Sequence, residues 1–153
     1  MLSKLLGNFS LFVALSAIFL AQILKVFWNF LMTREWDFNW LFNSGGMPSG
    51  HSSAVTALAT SIGLTSGFDS EVFALAAIVG IIIMYDAVGV RRHAGIQAKV
   101  LNNLIEDFAV LLKKGQTSIK LKELLGHKPV EVFMGAIFGM FIALFMYWLK
   151  FLF

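Results

Sequence analysis

Two of the three histidines in this 153-residue chain stand beside a proline at the start of an apolar segment. His51 directly follows Pro48-Ser49-Gly50, and His127 comes two residues before Pro129. Proline is favoured in the first turn of a helix, and serine is favoured as a helix cap. The spacing therefore predicts that each histidine lies at the N-terminal end of a helix.

The side chains around these histidines suit the hydrolysis of a phosphate monoester or a diphosphate. Glu131 follows His127 by about one helical turn, so its carboxylate can hold one imidazole nitrogen protonated and present the other as a nucleophile. His51 can give a proton to the leaving alkoxide. Ser49 can cap the helix that follows it, and the first free N–H groups of that helix form an anion site.

Three basic side chains could add charge-assisted hydrogen bonds to the phosphoryl oxygens, namely Lys25, Arg91 and Arg92. Each also has a simpler interpretation. Lys25 could extend from the end of a membrane span to the lipid headgroups. Arg91 and Arg92 could be topology determinants, since basic pairs commonly anchor cytoplasmic ends of spans.

The composition excludes most soluble classes of protein. Hydrophobic residues make up 58% and charged residues 14%, against roughly 45–50% and about 25% in soluble globular proteins. A single domain of this length cannot bury so many apolar side chains, so lipid must cover much of its surface. The chain has no cysteine, which excludes disulfides, zinc–thiolate sites and cysteine nucleophiles. The net charge of +3 is too small to indicate nucleic-acid binding.

Four apolar segments predict an all-α membrane bundle within one domain, residues 1–153. A span needs roughly 20 apolar residues, and the candidate segments are about 10–30, 52–68, 72–90 and 130–153. The second is short and rich in small residues, which suits close helix packing. Gly135 and Gly139, four residues apart in the last span, are expected to serve packing as well.

The segment between the third and fourth spans has a different character. Apolar residues recur at helical spacing over 94–112, which predicts an amphipathic helix at the interface or over the bundle. A basic linker follows, and together these residues (about 94–125) resemble an insertion. Eight of the twelve basic residues lie between Arg91 and Lys128. The positive-inside rule then places this side in the cytoplasm, at the cell (inner) membrane, with both termini outside.

With four alternating spans, the polar clusters all fall at one membrane face, and there they resemble a known superfamily. It is the type 2 phosphatidic acid phosphatase and vanadium haloperoxidase superfamily, whose patterns are K-x6-R-P, P-S-G-H and S-R-x5-H-x3-D. Pro48-Ser49-Gly50-His51 matches the second pattern, and 127–131 resembles the end of the third with Glu131 in place of aspartate. The segments 85–98 and 125–132 resemble the divergent branch more closely, and the likeness runs from Lys25 to about Gly139.

The resemblance implies a role for each matching residue. His127 would attack phosphorus, with Glu131 orienting it, and His51 would protonate the leaving group and then activate water. Lys25, Ser49, Gly50 and an arginine would bind the phosphoryl oxygens. The phosphatases of this superfamily work without a metal or other cofactor, and they commonly act on lipid phosphates or prenyl diphosphates.

Two departures from the family patterns leave an alternative open. Arg34 lies nine residues after Lys25 and is not followed by proline, and Leu121 stands where an arginine would precede His127 by six. Arg91 or Arg92 is therefore expected to take the arginine's role. The alternative is a non-catalytic lipid-phosphate binder or transporter on the same fold. A small structural membrane protein is disfavoured, because the polar residues would then cluster at one face by accident. A haloperoxidase is also disfavoured, because the composition of this chain suits a lipid environment.

The expected partners are a lipid-linked phosphate substrate and membrane lipids. A bundle of 153 residues encloses little volume, so the substrate's tail is expected against open helix flanks or at the seam of a homo-oligomer.

Overall fold

The described part of the chain is built from helices. The structure, a computed structural model, describes residues 7–43, 45–111, 121 and 126–152. The α-helices are α1 (Phe9–Thr33), α2 (Gly50–Ser66), α3 (Glu71–Val88), α4 (Val90–Leu111) and α5 (Pro129–Leu152), and a 3₁₀ helix, Phe38–Phe42, lies between α1 and α2. None of the described residues forms a strand. The expected all-α class is confirmed.

Local sequence explains where the helices begin. The side chain of Asn8 caps α1 by accepting a hydrogen bond from the N–H of Leu11 at 3.0 Å. Ser70 caps α3 in the same way, accepting from the N–H of Phe73 at 3.2 Å. Pro129 is the first residue of α5, where the missing N–H of proline costs nothing because the first N–H groups of a helix have no partner within it.

Three stretches are long and apolar enough to cross a membrane: Phe9–Thr33, Glu71–Phe108 and Pro129–Leu152. The second comprises α3 and continues into α4. Large apolar side chains are exposed along them, among them Phe12, Phe19, Leu75, Ile78, Phe133 and Phe141. Water-soluble monomers rarely expose contiguous apolar surface on this scale. The chain is therefore a membrane helical bundle, as the composition predicts.

α2, the remaining predicted span, is the central helix of the bundle. Its 17 residues extend over about 25 Å at 1.5 Å per residue, and it packs against α1, α3 and α5. Its buried residues are all small: Gly50, Ser52, Ser53, Ala57, Ser61 and Gly63. The hydroxyls of Ser53 and Ser61 donate to backbone carbonyls of α2 or its cap, at 2.8 and 2.9 Å. These polar groups are thereby satisfied without water.

The packing of α2 against α5 depends on two glycines of α5. A Cβ atom added to Gly135 would lie 2.6 Å from the carbonyl oxygen of Ser49, and one added to Gly139 would collide with the backbone of Ser53. Real Cβ atoms do not approach backbone so closely. Gly135 and Gly139 therefore have the packing role that their spacing predicts, and they allow α5 to lie directly on the first turns of α2.

α4 differs from the other helices, as its amphipathic pattern predicts. It packs against α3, the helix that precedes it. Apolar side chains along it are exposed: Ile96, Val100, Leu101, Leu104 and Phe108. The side chain of Asn102 exchanges two hydrogen bonds with the backbone of Leu121, at 2.9 and 3.0 Å. The basic linker that was expected after α4 lies largely outside the described residues.

We predict that Gly139→Ala destabilises the protein by about 1–3 kcal/mol, the usual cost of overpacking, although alanine favours helices more than glycine does. Gly80→Ala in α3 is the matched control, because its added Cβ would lie 3.6 Å from Val55 in ordinary contact. Thermal unfolding in detergent measures both variants. Equal midpoints for the two would contradict this description of the α2–α5 contact.

Candidate active site

His127, which is buried, and Glu131, which is half-buried, form a hydrogen-bonded pair at the start of α5. Only 4% of the surface of His127 is exposed. Its Nδ1 lies 3.0 Å from Oε2 of Glu131, and the backbone N–H of Lys128 donates to the same oxygen at 3.1 Å. Because an ionised carboxylate can only accept hydrogen bonds, Nδ1 carries the proton in this arrangement.

The other ring nitrogen of His127 is the chemically informative atom. Nε2 is buried and has no hydrogen-bond partner among the described residues. Buried polar atoms nearly always have a partner, so such an atom requires an explanation. In a neutral ring with its proton on Nδ1, Nε2 holds a free lone pair, and the site is then suited to a nucleophile or to an acceptor for a bound ligand.

The backbone of the loop before α5 fixes the position of His127. Gly126 has a φ of +84°, a left-handed conformation that glycine adopts without steric cost. The N–H of His127 then donates to the carbonyl oxygen of Ala87 at 3.0 Å. Ala87 lies at the C-terminal end of α3, where carbonyl groups have no partner within the helix. The end of α3 and the start of α5 are thus joined at the histidine.

Ser49 connects the start of α2 to the same place. Its N–H donates to the carbonyl oxygen of Glu131 at 3.0 Å. Its hydroxyl oxygen accepts from the N–H of Ser52 at 3.4 Å and lies 3.0 Å from the Ser52 hydroxyl. Ser49 is completely buried and caps α2, as predicted. The positive end of the α2 dipole therefore lies beside the histidine pair.

Lys25 is buried inside the bundle and does not extend to the headgroups. Its exposed fraction is 3%, and its Nζ donates to the carbonyl oxygen of Asn43 at 3.2 Å. The carboxylate of Glu131 is close enough for a favourable charge interaction with the ammonium group of Lys25. A cavity of about 210 Å³ lies between these two side chains, and its other lining residues are Trp28, Asn29, Met32, Trp40, Gly46 and Met47. The ammonium group of Lys25 is the feature of this cavity that could bind an anionic group.

The structure places the remaining predicted site residues as follows. Gly50 is the first residue of α2 and is buried; a Cβ added to it would lie 3.4 Å from Cγ1 of Ile18. His51 is exposed in the first turn of α2, and Arg92 is exposed in the first turn of α4. The side chain of Arg91 lies outside what the structure describes. The roles assigned to these residues stay predictions.

Three contributors to the site were not predicted from the sequence: the carbonyl groups of Asn43 and Ala87, and the ring of Trp40. Backbone carbonyls occur at every residue, so they carry no signal in a sequence. Trp40 has a weak signal in Gly46, whose φ is +89° and whose added Cβ would lie 2.8 Å from the Trp40 ring. A glycine pair such as Gly45-Gly46 is compatible with a side chain lying close to the backbone, but it does not identify that side chain.

The fold and this geometry define a class: a membrane helical bundle with a buried histidine–carboxylate pair at one end. Comparison with known proteins agrees with that class. The sequence model of the divergent PAP2 family matches residues 6–142, and the chain belongs to this family. The predicted resemblance to a divergent branch of the type 2 phosphatidic acid phosphatases is thereby confirmed.

A relative in Bacillus subtilis strain 168 is 45% identical over 150 residues. The match covers 92% of this chain and 95% of the relative, whose printed name is "Uncharacterized membrane protein YuiD". No solved structure matches the chain. These similarities show the family and a membrane protein, and they leave the activity to be argued from the site.

We predict that the neutral imidazole of His127 carries its proton on Nδ1, because Glu131 accepts a hydrogen bond from that atom. The ¹⁵N chemical shifts of labelled histidine distinguish the two tautomers, and Glu131→Ala should shift the His127 signals toward the Nε2–H form. His51→Gln and His93→Gln variants assign the three histidines. An Nε2–H tautomer in the unaltered protein would contradict the hydrogen bond described here.

Proposed function

We propose that this protein is a lipid phosphate phosphatase that forms a phosphohistidine at His127. Membership of the divergent PAP2 family supports a phosphatase-related fold. The observation that carries the proposal is the geometry at His127: Nδ1 is hydrogen-bonded to Glu131, and Nε2 is buried with no partner in the described part of the chain. A nucleophile must be oriented and must have a free electron pair, and this arrangement supplies both.

In the proposed reaction, the Nε2 lone pair of His127 attacks phosphorus. The bond between phosphorus and the oxygen of the lipid breaks, and the leaving alkoxide takes a proton from His51. Glu131 stabilises the positive charge that develops on the imidazole ring, as a buried carboxylate does beside a catalytic histidine. His51, now neutral, removes a proton from water, and the resulting hydroxide attacks phosphorus. Phosphate is released, and the electron pair returns to Nε2.

The phosphoryl oxygens would be bound by fixed positive groups around the cavity. Lys25 is buried there, and its ammonium group can exchange the carbonyl of Asn43 for a phosphoryl oxygen. The first N–H groups of α2, beginning at Gly50, supply hydrogen bonds at the positive end of the helix dipole. We assign the remaining charge to Arg91 or Arg92, which stand at the start of α4.

The substrate is proposed to be a membrane lipid, with the reaction at the cytoplasmic face of the cell membrane. The site lies at one end of a bundle whose sides are apolar, so a headgroup can reach it while the hydrocarbon stays in the bilayer. The excess of lysine and arginine after α3 supports the cytoplasmic orientation. The proposed steps require no metal ion, which makes chelation a useful condition in the test.

We predict phosphate release from at least one lipid phosphate in a panel of phosphatidate, phosphatidylglycerophosphate, and prenyl mono- and diphosphates. Release in detergent should survive excess chelator. His127→Ala should lower kcat by about 10³-fold or more, since the nucleophile is lost. His51→Ala should lower kcat by about 10²–10⁴-fold, the usual contribution of a general acid–base group.

His93→Ala is the matched control, because His93 is exposed on α4 and has no place in the proposed reaction; it should retain the wild-type rate. Release that disappears with chelator, or that persists in His127→Ala, would refute the phosphohistidine mechanism. If no lipid is hydrolysed while the protein still binds lipid phosphates, the binder or transporter replaces the enzyme as the better account.

A further inference from the structure

A second hollow lies on the side of the bundle, and it shares no lining residue with the cavity at Lys25 and Glu131. It has a volume of about 400 Å³ and is a groove between α2, α3 and α5. None of the residues that line it is ionisable, and most are aliphatic or aromatic. The hydroxyl of Thr56, which lines it, donates to the carbonyl oxygen of Ser52. The groove therefore presents an apolar surface, of a volume typical of ligand sites.

Small residues create this groove. Gly80 of α3 lines it opposite Val55 of α2, and a Cβ added to Gly80 would lie 3.6 Å from Cγ2 of Val55. Ala77, one turn earlier in α3, also lines the groove, and its short side chain leaves space that a larger residue would fill. At the loop that joins α2 to α3, the groove ends at Phe68 and Phe73, whose rings meet edge to face at 5.1 Å.

The other end of the groove lies one turn of α3 from a residue that holds the candidate active site. Met84 lines that end, and it precedes by three residues Ala87, whose carbonyl holds the backbone of His127. Residues three or four apart lie one above the other on a helix, about 5 Å along its axis. From Met84 to Phe73 is eleven residues of α3, or about 16 Å. The groove thus leads from beside the histidine toward the opposite end of α3.

We propose that this groove binds a single hydrocarbon chain of the substrate, with the phosphate at His127 and the chain end near Phe68 and Phe73. The inference rests on the proposed phosphatase function and deepens it. The end of the groove at Met84, one helical turn from the Ala87 carbonyl that holds His127, favours a substrate chain over a lipid unrelated to the reaction. Ile81 and Leu144, at the edge of the groove, are exposed on the lipid side, so a chain can enter sideways from the bilayer.

The groove fits the hydrocarbon of a prenyl phosphate or of an acyl lipid. One copy of the chain could therefore hold the substrate's tail without a second copy. Because its length is set by the phenylalanine pair, it also predicts selectivity for chain length. Substrates whose chains are too short to occupy the groove should be hydrolysed less efficiently than those that fill it.

The test compares Ala77→Leu with Ala74→Leu, the same substitution one turn away, where Ala74 is exposed outside the groove. Neither change alters helix propensity much. Hydrolysis is measured for single-chain acyl and prenyl phosphates of increasing length and for two-chain phosphatidate. Ala77→Leu should lower kcat/KM for long chains on the order of tenfold, which is the low end of the range for a misfit in an apolar pocket. The effect is expected to be small because the displaced chain moves into lipid and not into water.

Ala77→Leu should leave the rate on the shortest chain unchanged, and Ala74→Leu should match wild type throughout. Whether acyl or prenyl chains lose more identifies the natural class. If Ala77→Leu and Ala74→Leu behave alike across the series while wild type hydrolyses it, the groove proposal is wrong and the phosphatase stands.

A second measurement decides the proposal even if no substrate is hydrolysed. A single-chain lipid phosphate with a photoreactive diazirine at the chain end is cross-linked to the protein in vesicles, and the labelled peptides are mapped. Labelling concentrated near Phe68 and Phe73, and reduced in Ala77→Leu, supports the groove independently of catalysis. Labelling spread evenly over the outer faces of α1 and α5 overturns it.

Discussion

The candidate site depends on how closely α5 approaches the start of α2. Gly135 and Gly139 remove the side chains that would otherwise separate the two helices. The N–H of Ser49 can then reach the carbonyl of Glu131, at 3.0 Å. This contact places the positive end of one helix beside the residue that orients His127. In a bilayer, where helices gain no hydrophobic energy by associating, close backbone packing of this kind is a main source of association.

Polar groups at this end of the bundle are held by the backbone as much as by one another. Lys25 donates to a carbonyl of the loop before α2, and His127 is joined through its N–H to the last turn of α3. Burying a charge or an unsatisfied donor costs several kcal/mol unless it is paired. This cluster buries Lys25, Ser49 and His127 together, and one imidazole nitrogen has no partner among the residues that the structure describes. It is therefore informative about function. Together with membership of the divergent PAP2 family, it supports chemistry on a phosphate group.

Much of the fold could be predicted from the sequence, because lipid imposes a length and a composition on each helix. The expected starts and ends of the helices lie within about four residues of those observed. The small residues of α2 indicated close packing, although its central position could not be predicted, since composition does not identify neighbours.

The pairing of His127 with Glu131 followed from one-turn spacing. The inward orientation of Lys25 could not be predicted, because a lysine near a span end can turn either way and its partner is a backbone carbonyl. The missing family arginine is a different case, because Arg91 and Arg92 are adjacent and the sequence does not distinguish them.

The most direct test of the central claim is to look for the covalent intermediate. The protein is mixed with a ³²P-labelled lipid phosphate, quenched within milliseconds in alkaline detergent, and digested for mass spectrometry. The phosphohistidine mechanism predicts a phosphoryl group on His127 that is stable to alkali, labile to acid, and absent in His127→Ala. Hydrolysis that proceeds with no phosphorylated histidine, or with the label on another residue, would contradict it.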